Sequence, residues 1–127
     1  MNSILGSWRL VKETATDPAG QAQPTLFGPM GIGIATFTTQ GRMMAVLTDG
    51  RPGPIDGPRK HVSYCGDYTF DGVRLMTKVD GATDPRLLAE PQIRDARFEA
   101  GRLILRPPIG FRASAGVVRE LIWERIG

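Results

Sequence analysis

The sequence is poor in the residues that form metal centres and disulfides. Its 127 residues include one cysteine and one histidine, Cys65 and His61. A single cysteine excludes an internal disulfide, and these two residues together cannot supply a Cys/His metal cluster within one chain. We therefore expect no metal ion and no cofactor. The lone thiol favours a reducing, cytoplasmic location.

Long hydrophobic runs are also missing. No apolar stretch approaches the roughly 20 residues that a membrane-spanning helix needs. The N-terminal segment MNSILGSWRL lacks the basic region and apolar centre of an export signal. No segment repeats its apolar residues at helical spacing. The length of the chain predicts a single domain over residues 1–127. The absences predict that this domain is built from strands and has no membrane partner.

The excess of positive charge is small and scattered along the chain. Sixteen Lys and Arg residues stand against thirteen Asp and Glu residues, which gives a net charge of +3. The densest basic cluster is the short run at 59–61. Proteins that bind single-stranded nucleic acid usually interleave a basic stripe with aromatic side chains. The sequence has no such stripe, so we expect no nucleic-acid partner.

What the sequence does contain is a series of short alternating runs. Eight runs are predicted to be strands: 5–16, 32–39, 42–49, 62–70, 73–80, 92–99, 102–107 and 116–125. Short turns at 40–41, 71–72 and 100–101 alternate with long connections at 17–31, 49–61, 81–91 and 108–115. In an up-and-down sheet, alternate connections lie at opposite ends. The pattern therefore predicts an all-β, eight-stranded, up-and-down antiparallel β-barrel that is closed at the tight-turn end.

One hairpin, over residues 63–79, predicts an unusual interior face. A two-residue turn at Asp71-Gly72 would pair Phe70 with Val73. Because side chains alternate along a strand, one face of this hairpin would then carry Tyr64, Gly66, Tyr68, Phe70, Val73, Leu75, Thr77 and Val79. Cys65 falls on the opposite, outer face. Tyr64 lies far from the turn and is therefore expected near the long loops.

A second hairpin predicts a charged residue inside the barrel. A turn at Ala100-Gly101 would pair Phe98 with Leu103. Arg94 shares the face of Phe98 and lies nearer the long loops. We therefore expect Arg94 to meet Tyr64 near the mouth of the barrel.

The N-terminal segment LGSWRLV carries a family resemblance. Its Gly6-Ser7-Trp8 resembles the Gly-x-Trp that opens the first strand of lipocalins. The segments LGSWRLV, PTLFGPMGIGIATFTTQGRM, YCGDYTFDG and LIWERI are similar, in the same order, to those of bacterial lipocalin-like domain proteins. The resemblance implies a barrel floor that is closed by Trp8 and covered by Arg125 of the last strand.

Together, fold and resemblance predict a binding protein for a small, mainly apolar molecule. The wall residues would be Leu10, Ile34, Met43, Leu47, Tyr68, Leu75, Phe98 and Leu121. Lys12, Tyr64, Thr77 and Arg94 would lie nearer the mouth. Hydroxyls and cations at the open end suggest a ligand with an anionic or carbonyl head.

Two other functions remain open at this point. The resemblance allows a cyclase, isomerase or dehydratase acting on an apolar metabolite. Such an enzyme needs an acid or base in its pocket, and Tyr64 with Arg94 is the only interior pair that we expect, since no carboxylate is predicted inside. The third alternative is a ligand-free homodimeric interaction module. It would associate through the second and third strands, which are apolar on both faces, with Ala35, Phe37, Met44 and Val46 pointing outward.

Overall fold

A computed structural model describes residues 3–107 and 116–127, so the predicted loop 108–115 lies outside the described residues. The described residues form eight strands: β1 (Gly6–Thr16), β2 (Gly31–Phe37), β3 (Arg42–Asp49), β4 (His61–Phe70), β5 (Arg74–Ala82), β6 (Gln92–Glu99), β7 (Arg102–Arg106) and β8 (Val118–Arg125). These bounds lie within two residues of the predicted ones. A 3-10 helix, Pro85–Leu88, occupies part of the predicted loop 81–91. Among the described residues, no helix is long and apolar enough to cross a membrane.

The strands close into a single barrel. Each strand pairs antiparallel with the next, and β1 pairs with β8 to complete the circle. This confirms the predicted eight-stranded up-and-down barrel. The connections β2–β3, β4–β5 and β6–β7 are short and lie at one end, together with the start of β1 and the end of β8.

The two hairpins differ in how well their turns are predicted. At the β6–β7 turn, Ala100 and Gly101 have φ values of 51° and 80°, which a two-residue turn of this kind requires, and Phe98 pairs with Leu103 as predicted. The β4–β5 turn is wider than predicted, because Phe70 pairs with residue 75 instead of residue 73. A shift of two residues leaves the side chains within both strands on their predicted faces. Val73 lies in the turn and is 67% exposed, so the prediction that it shares the interior face is wrong.

The Asp71 side chain accounts for the wider turn. Its carboxylate accepts hydrogen bonds from the backbone N–H groups of Val73 and Arg74, at 2.9 and 2.7 Å. Both N–H groups therefore bond within the turn, and the two-residue pairing predicted for Asp71-Gly72 is wrong.

The β2–β3 turn reverses a set of predicted faces. A two-residue turn would place Phe37 outward, but Thr38 binds the backbone of Arg42 and makes the loop one residue longer. Phe37 then pairs with Met43, and both are buried. The prediction that Ala35 and Phe37 point outward is wrong. Ile34 is exposed, so the prediction that it lines the wall is also wrong.

A bulge in β1 reverses a second set of predicted inward and outward faces. Leu10 pairs with Trp123, but Lys12 pairs with Ile122, which leaves one extra residue between them in β1. Beyond this point the alternation changes phase, so Lys12 is exposed and Glu13 is buried. The prediction that Lys12 faces the interior is therefore wrong.

Several arginines on the outer face are paired with carboxylates of other strands. Arg9 binds Glu124, and Arg97 binds Glu120 at 2.6 Å. Arg9 and Glu124 belong to the adjacent strands β1 and β8, whereas Arg97 of β6 and Glu120 of β8 reach each other across β7. In these pairs, the negative charge of each carboxylate offsets the positive charge of its arginine.

Candidate functional site: the barrel interior

The tight-turn end of the barrel is sealed by a stacked pair. The guanidinium of Arg125 lies 4.2 Å from the ring centroid of Trp8, which is almost fully buried. The indole N–H of Trp8 donates to the carbonyl of Ile4 at 2.8 Å. Arg125 also donates to the carbonyls of Ser3 and Leu5. The stack thus ties the N-terminal segment to the last strand across this end.

The glycine of the Gly-x-Trp segment has a specific reason to be there. Gly6 has a backbone φ of +112°, a value that residues other than glycine rarely adopt. A Cβ at this position would also lie 2.3 Å from the carbonyl oxygen of Gly127. That same oxygen accepts a hydrogen bond from the backbone N–H of Ser7. Only glycine permits this close pairing of the two chain ends.

Aromatic rings line the interior above this seal. Phe98 lies 6.3 Å from Trp8, and Tyr68 packs edge-on against Phe37 at 5.2 Å, measured between ring centroids. The hydroxyl of Tyr68 donates to the carbonyl of Thr38 at 2.9 Å. Tyr68 therefore offers its ring to the interior, while its hydroxyl binds the backbone of the β2–β3 turn.

A polar cluster lies further toward the long loops. Tyr64 of β4 and Gln92 and Arg94 of β6 form this cluster. Burial raises the pKa of the Tyr64 hydroxyl, and the smaller opposing effects come from the charge of Arg94 and from the Gln92 amide. Both groups are therefore close to that hydroxyl. Arg94 also donates to the carbonyl of Ile93 at 2.7 Å.

Sequence reasoning missed Gln92, although a signal was available. Gln92 lies two residues before Arg94 on the same strand, so alternation alone places it on the inward face. Gln92 is not among the predicted site residues because an uncharged amide at the start of a strand resembles a loop residue.

Two further polar side chains are buried in the interior. Thr77 of β5 lies between Tyr68 and Gln92 in the sheet register and has no exposed surface. Trp123 of β8 lies between Leu10 and residue 103 and is 2% exposed. Within the described ranges 3–107 and 116–127, Thr77 Oγ1 and Trp123 Nε1 have no hydrogen-bond partner.

A loop residue closes part of the mouth. Phe27, from the connection between β1 and β2, is buried in the core. A methyl group placed on Gly31 would lie 3.2 Å from Phe27 and 3.6 Å from Leu10, so both side chains flank this glycine. The buried carboxylate of Glu13 accepts the backbone N–H groups of Leu26 and Phe27 at 3.0 and 3.1 Å. Glu13 thereby fixes the loop over the open end.

A second buried carboxylate fixes another loop. Asp49 binds the guanidinium of Arg51 at 2.6 Å, and these hydrogen bonds lower the pKa of its carboxyl group. Arg59 donates to the carbonyls of Asp49, Arg51 and Gly53. The prediction that no carboxylate lies inside is therefore wrong, although both Glu13 and Asp49 are bound to neighbouring groups.

Three further residues from the sequence analysis lie on the inward face, at a strand end and on the outer face of the barrel. Met43 is buried on the inward face of β3, opposite Gly66. His61 is exposed at the start of β4. Cys65 lies on the outer face, where its thiol is 3.6 Å from a carboxylate oxygen of Asp80.

Comparison with known proteins agrees with this architecture. A family model described as a lipocalin-like domain matches residues 5–126, which is nearly the whole chain. A search of curated proteins found no match. The match spans the Gly-x-Trp segment, all eight strands and Arg125. The chain therefore belongs to the family of lipocalin-like domains.

Proposed function

We propose that the protein binds one small, mainly apolar molecule inside the barrel, with an anionic or carbonyl end held by Tyr64, Gln92 and Arg94. At a coarse level, membership of the lipocalin-like family itself suggests the binding of small hydrophobic ligands. The finer assignment of the head group depends on the polar cluster alone.

The grouping of a phenol, an amide and a guanidinium on inward faces carries this proposal. Guanidinium groups form strong charged hydrogen bonds with carboxylates and carbonyls. A tyrosine hydroxyl is protonated at neutral pH, and burial raises the pKa of Tyr64 further, so this group can donate a hydrogen bond. The Gln92 amide and the Arg94 guanidinium both lie close to the Tyr64 hydroxyl, and the donors of this cluster favour a ligand atom that accepts.

The remaining interior suits an apolar body. The buried wall residues are Leu10, Met43, Leu47, Leu75, Leu103 and Leu105, with Phe98 packed against them. A methionine among them can adapt its shape to different ligands. Small-ligand pockets typically combine such a wall with a few polar groups that fix orientation.

Binding fits the described residues better than catalysis. The two buried carboxylates of the described chain, Glu13 and Asp49, hold loops through their hydrogen bonds. A general acid or base must instead be available to the substrate. The cyclase, isomerase or dehydratase alternative would therefore depend on Tyr64 with Arg94.

Titration with a fluorescent fatty-acid analogue, followed by displacement with dodecanoic acid, tests the proposal. We expect Arg94→Met to weaken binding by about tenfold to a hundredfold, because one charged hydrogen bond contributes about 1.5–3 kcal/mol. Tyr64→Phe should weaken binding by less, since it removes a neutral donor.

Arg74→Met serves as the matched control, because Arg74 is exposed on the outer face of β5. It should leave the affinity unchanged. Equal affinities for wild type, Arg94→Met and Tyr64→Phe would contradict the assignment of the head group.

A further inference from the structure

Two buried polar atoms set this interior apart from an ordinary apolar core. Thr77 is 0% exposed and Trp123 is 2% exposed, and both lie on inward faces. Over residues 3–107 and 116–127, neither Thr77 Oγ1 nor Trp123 Nε1 finds a hydrogen-bond partner. Nearly all buried polar atoms in folded proteins have a partner, because an unpaired one is costly.

Other buried polar groups of the barrel are satisfied by the chain itself. The indole N–H of Trp8 donates to Ile4, and the hydroxyl of Tyr68 donates to Thr38. These groups lie toward the tight-turn end and bind backbone carbonyls there. The unpaired hydroxyl and the unpaired indole N–H are thus specific exceptions within an interior that otherwise pairs its polar atoms.

We propose that the ligand carries additional oxygen, as a ketone or hydroxyl group along its apolar body, and that Thr77 and Trp123 each donate a hydrogen bond to such an oxygen. This inference rests on the proposed function. An indole N–H can only donate, and a threonine hydroxyl can also donate, so an acceptor oxygen suits both. Thr77 pairs with Gln92 in the register, which places this second polar position next to the head-group cluster.

The chemical class that follows is an oxygenated acyl chain or a similar oxygen-bearing apolar metabolite. A ketone loses its hydration when it enters the barrel, so in a purely apolar pocket it would bind more weakly than a methylene group. With Thr77 or Trp123 as a donor, the same ketone should bind more tightly. Weaker binding of the keto acid than of dodecanoic acid would therefore indicate a purely apolar pocket, and tighter binding would indicate a pocket with hydrogen-bond donors.

The test compares dodecanoic acid with oxododecanoic acids whose ketone stands at successive positions from carbon 4 to carbon 10. We expect wild type to bind at least one keto acid about tenfold more tightly than dodecanoic acid, as one good hydrogen bond allows. Thr77→Val or Trp123→Phe should remove the gain of the keto acid whose oxygen that side chain binds, so that this acid then binds no more tightly than dodecanoic acid binds to the same variant. Thr77→Ser, which retains the hydroxyl, should preserve it.

A second measurement needs no ligand. If the Thr77 hydroxyl is unpaired, ligand-free Thr77→Val should melt at or above the wild-type temperature. Thr69→Val, on the outer face of the same hairpin, controls for the strand preference of valine. A lower melting temperature of Thr77→Val, with Thr69→Val unchanged, would overturn the inference.

The outcomes also separate this inference from the proposed function. Tight binding of dodecanoic acid with no gain for any keto acid would overturn the inference alone. A gain that persists in both Thr77→Val and Trp123→Phe would do the same. If folded wild type binds none of these acids, the proposed function fails, and the inference fails with it.

Discussion

At the scale of single residues, Trp8 makes three kinds of contact. Its ring is stacked under Arg125, its edge lies near Phe98, and its N–H binds the carbonyl of Ile4. A cation over an aromatic face contributes about 0.5–2 kcal/mol, and the burial of the ring contributes more. The stability of the tight-turn end should therefore depend strongly on this one side chain.

Replacement of Trp8 tests this dependence. We expect Trp8→Ala to lower the free energy of unfolding by about 3–5 kcal/mol, as removal of a large buried aromatic usually does. Trp8→Phe, which keeps a ring but loses the N–H, should cost less. Chemical denaturation followed by circular dichroism would measure both, with exposed Val73→Ala as the control. An unchanged melting temperature of Trp8→Ala would contradict the role of Trp8 at the floor.

At the scale of elements, the carboxylate of Glu13 holds the part of the β1–β2 loop that carries Phe27. Glu13 accepts two backbone N–H groups, and Phe27 fills the space beside Leu10. Removal of the carboxylate would leave both N–H groups without their acceptor, at a cost of about 1–3 kcal/mol for each buried group. The loop should then release Phe27 and widen the mouth.

Hydrogen exchange measures this directly. In wild type we expect the amides of Leu26 and Phe27 to exchange slowly, and in Glu13→Ala to exchange much faster, with faster ligand entry as a consequence. Glu124→Gln, which alters an ion pair on the outer face, should leave the protection of both amides unchanged. Equal protection in wild type and Glu13→Ala would show that the carboxylate does not hold the loop.

The elements also show how much of the fold could be predicted from the sequence. The order of the strands and the inward faces of β4 and β6 followed from alternation, because these stretches run without interruption from their turns to Tyr64 and Arg94. The faces of Lys12 and Ile34 were predicted wrongly, since one extra residue in a strand or a turn reverses every side chain beyond it.

The candidate site was predicted in part for the same reason. Tyr64, Thr77 and Arg94 lie on strands whose phase was correct. The positions of Glu13 and Phe27 depend on a bulge and on a long loop, and neither leaves a periodic signal in the sequence. The stack of Arg125 on Trp8 was found through the family resemblance.

At the scale of the whole molecule, β2 and β3 present an apolar outer face. Its exposed members are Ile32, Ile34, Met44 and Val46. A groove of about 310 Å³ lies among Arg9, Ile32, Ile34, Val46 and Thr48. Exposed apolar surface of this kind often marks a contact with another chain. Homodimerisation through this face therefore remains our prediction.

Light scattering would test the dimer. We expect a molar mass near twice that of one chain at high concentration, and a folded monomer for Met44→Asp, because a charge would be buried at the contact. Lys78→Asp, at an exposed position of β5, is a charged control that should remain dimeric. A wild type that stays monomeric would rule out this interface.

The central claim is that an apolar ligand enters the barrel, and two consecutive methionines can test it. Met43 is 4% exposed and faces the interior, whereas Met44 is 57% exposed on the outer face. Methyl-labelled methionine therefore reports both sides of β3 in one NMR spectrum, and Met43→Leu and Met44→Leu assign the two signals. On addition of dodecanoic acid, the account predicts that the Met43 signal shifts while the Met44 signal stays in place. A shift of Met44 with no change at Met43 would place the ligand on the outer face of β3 and contradict the account.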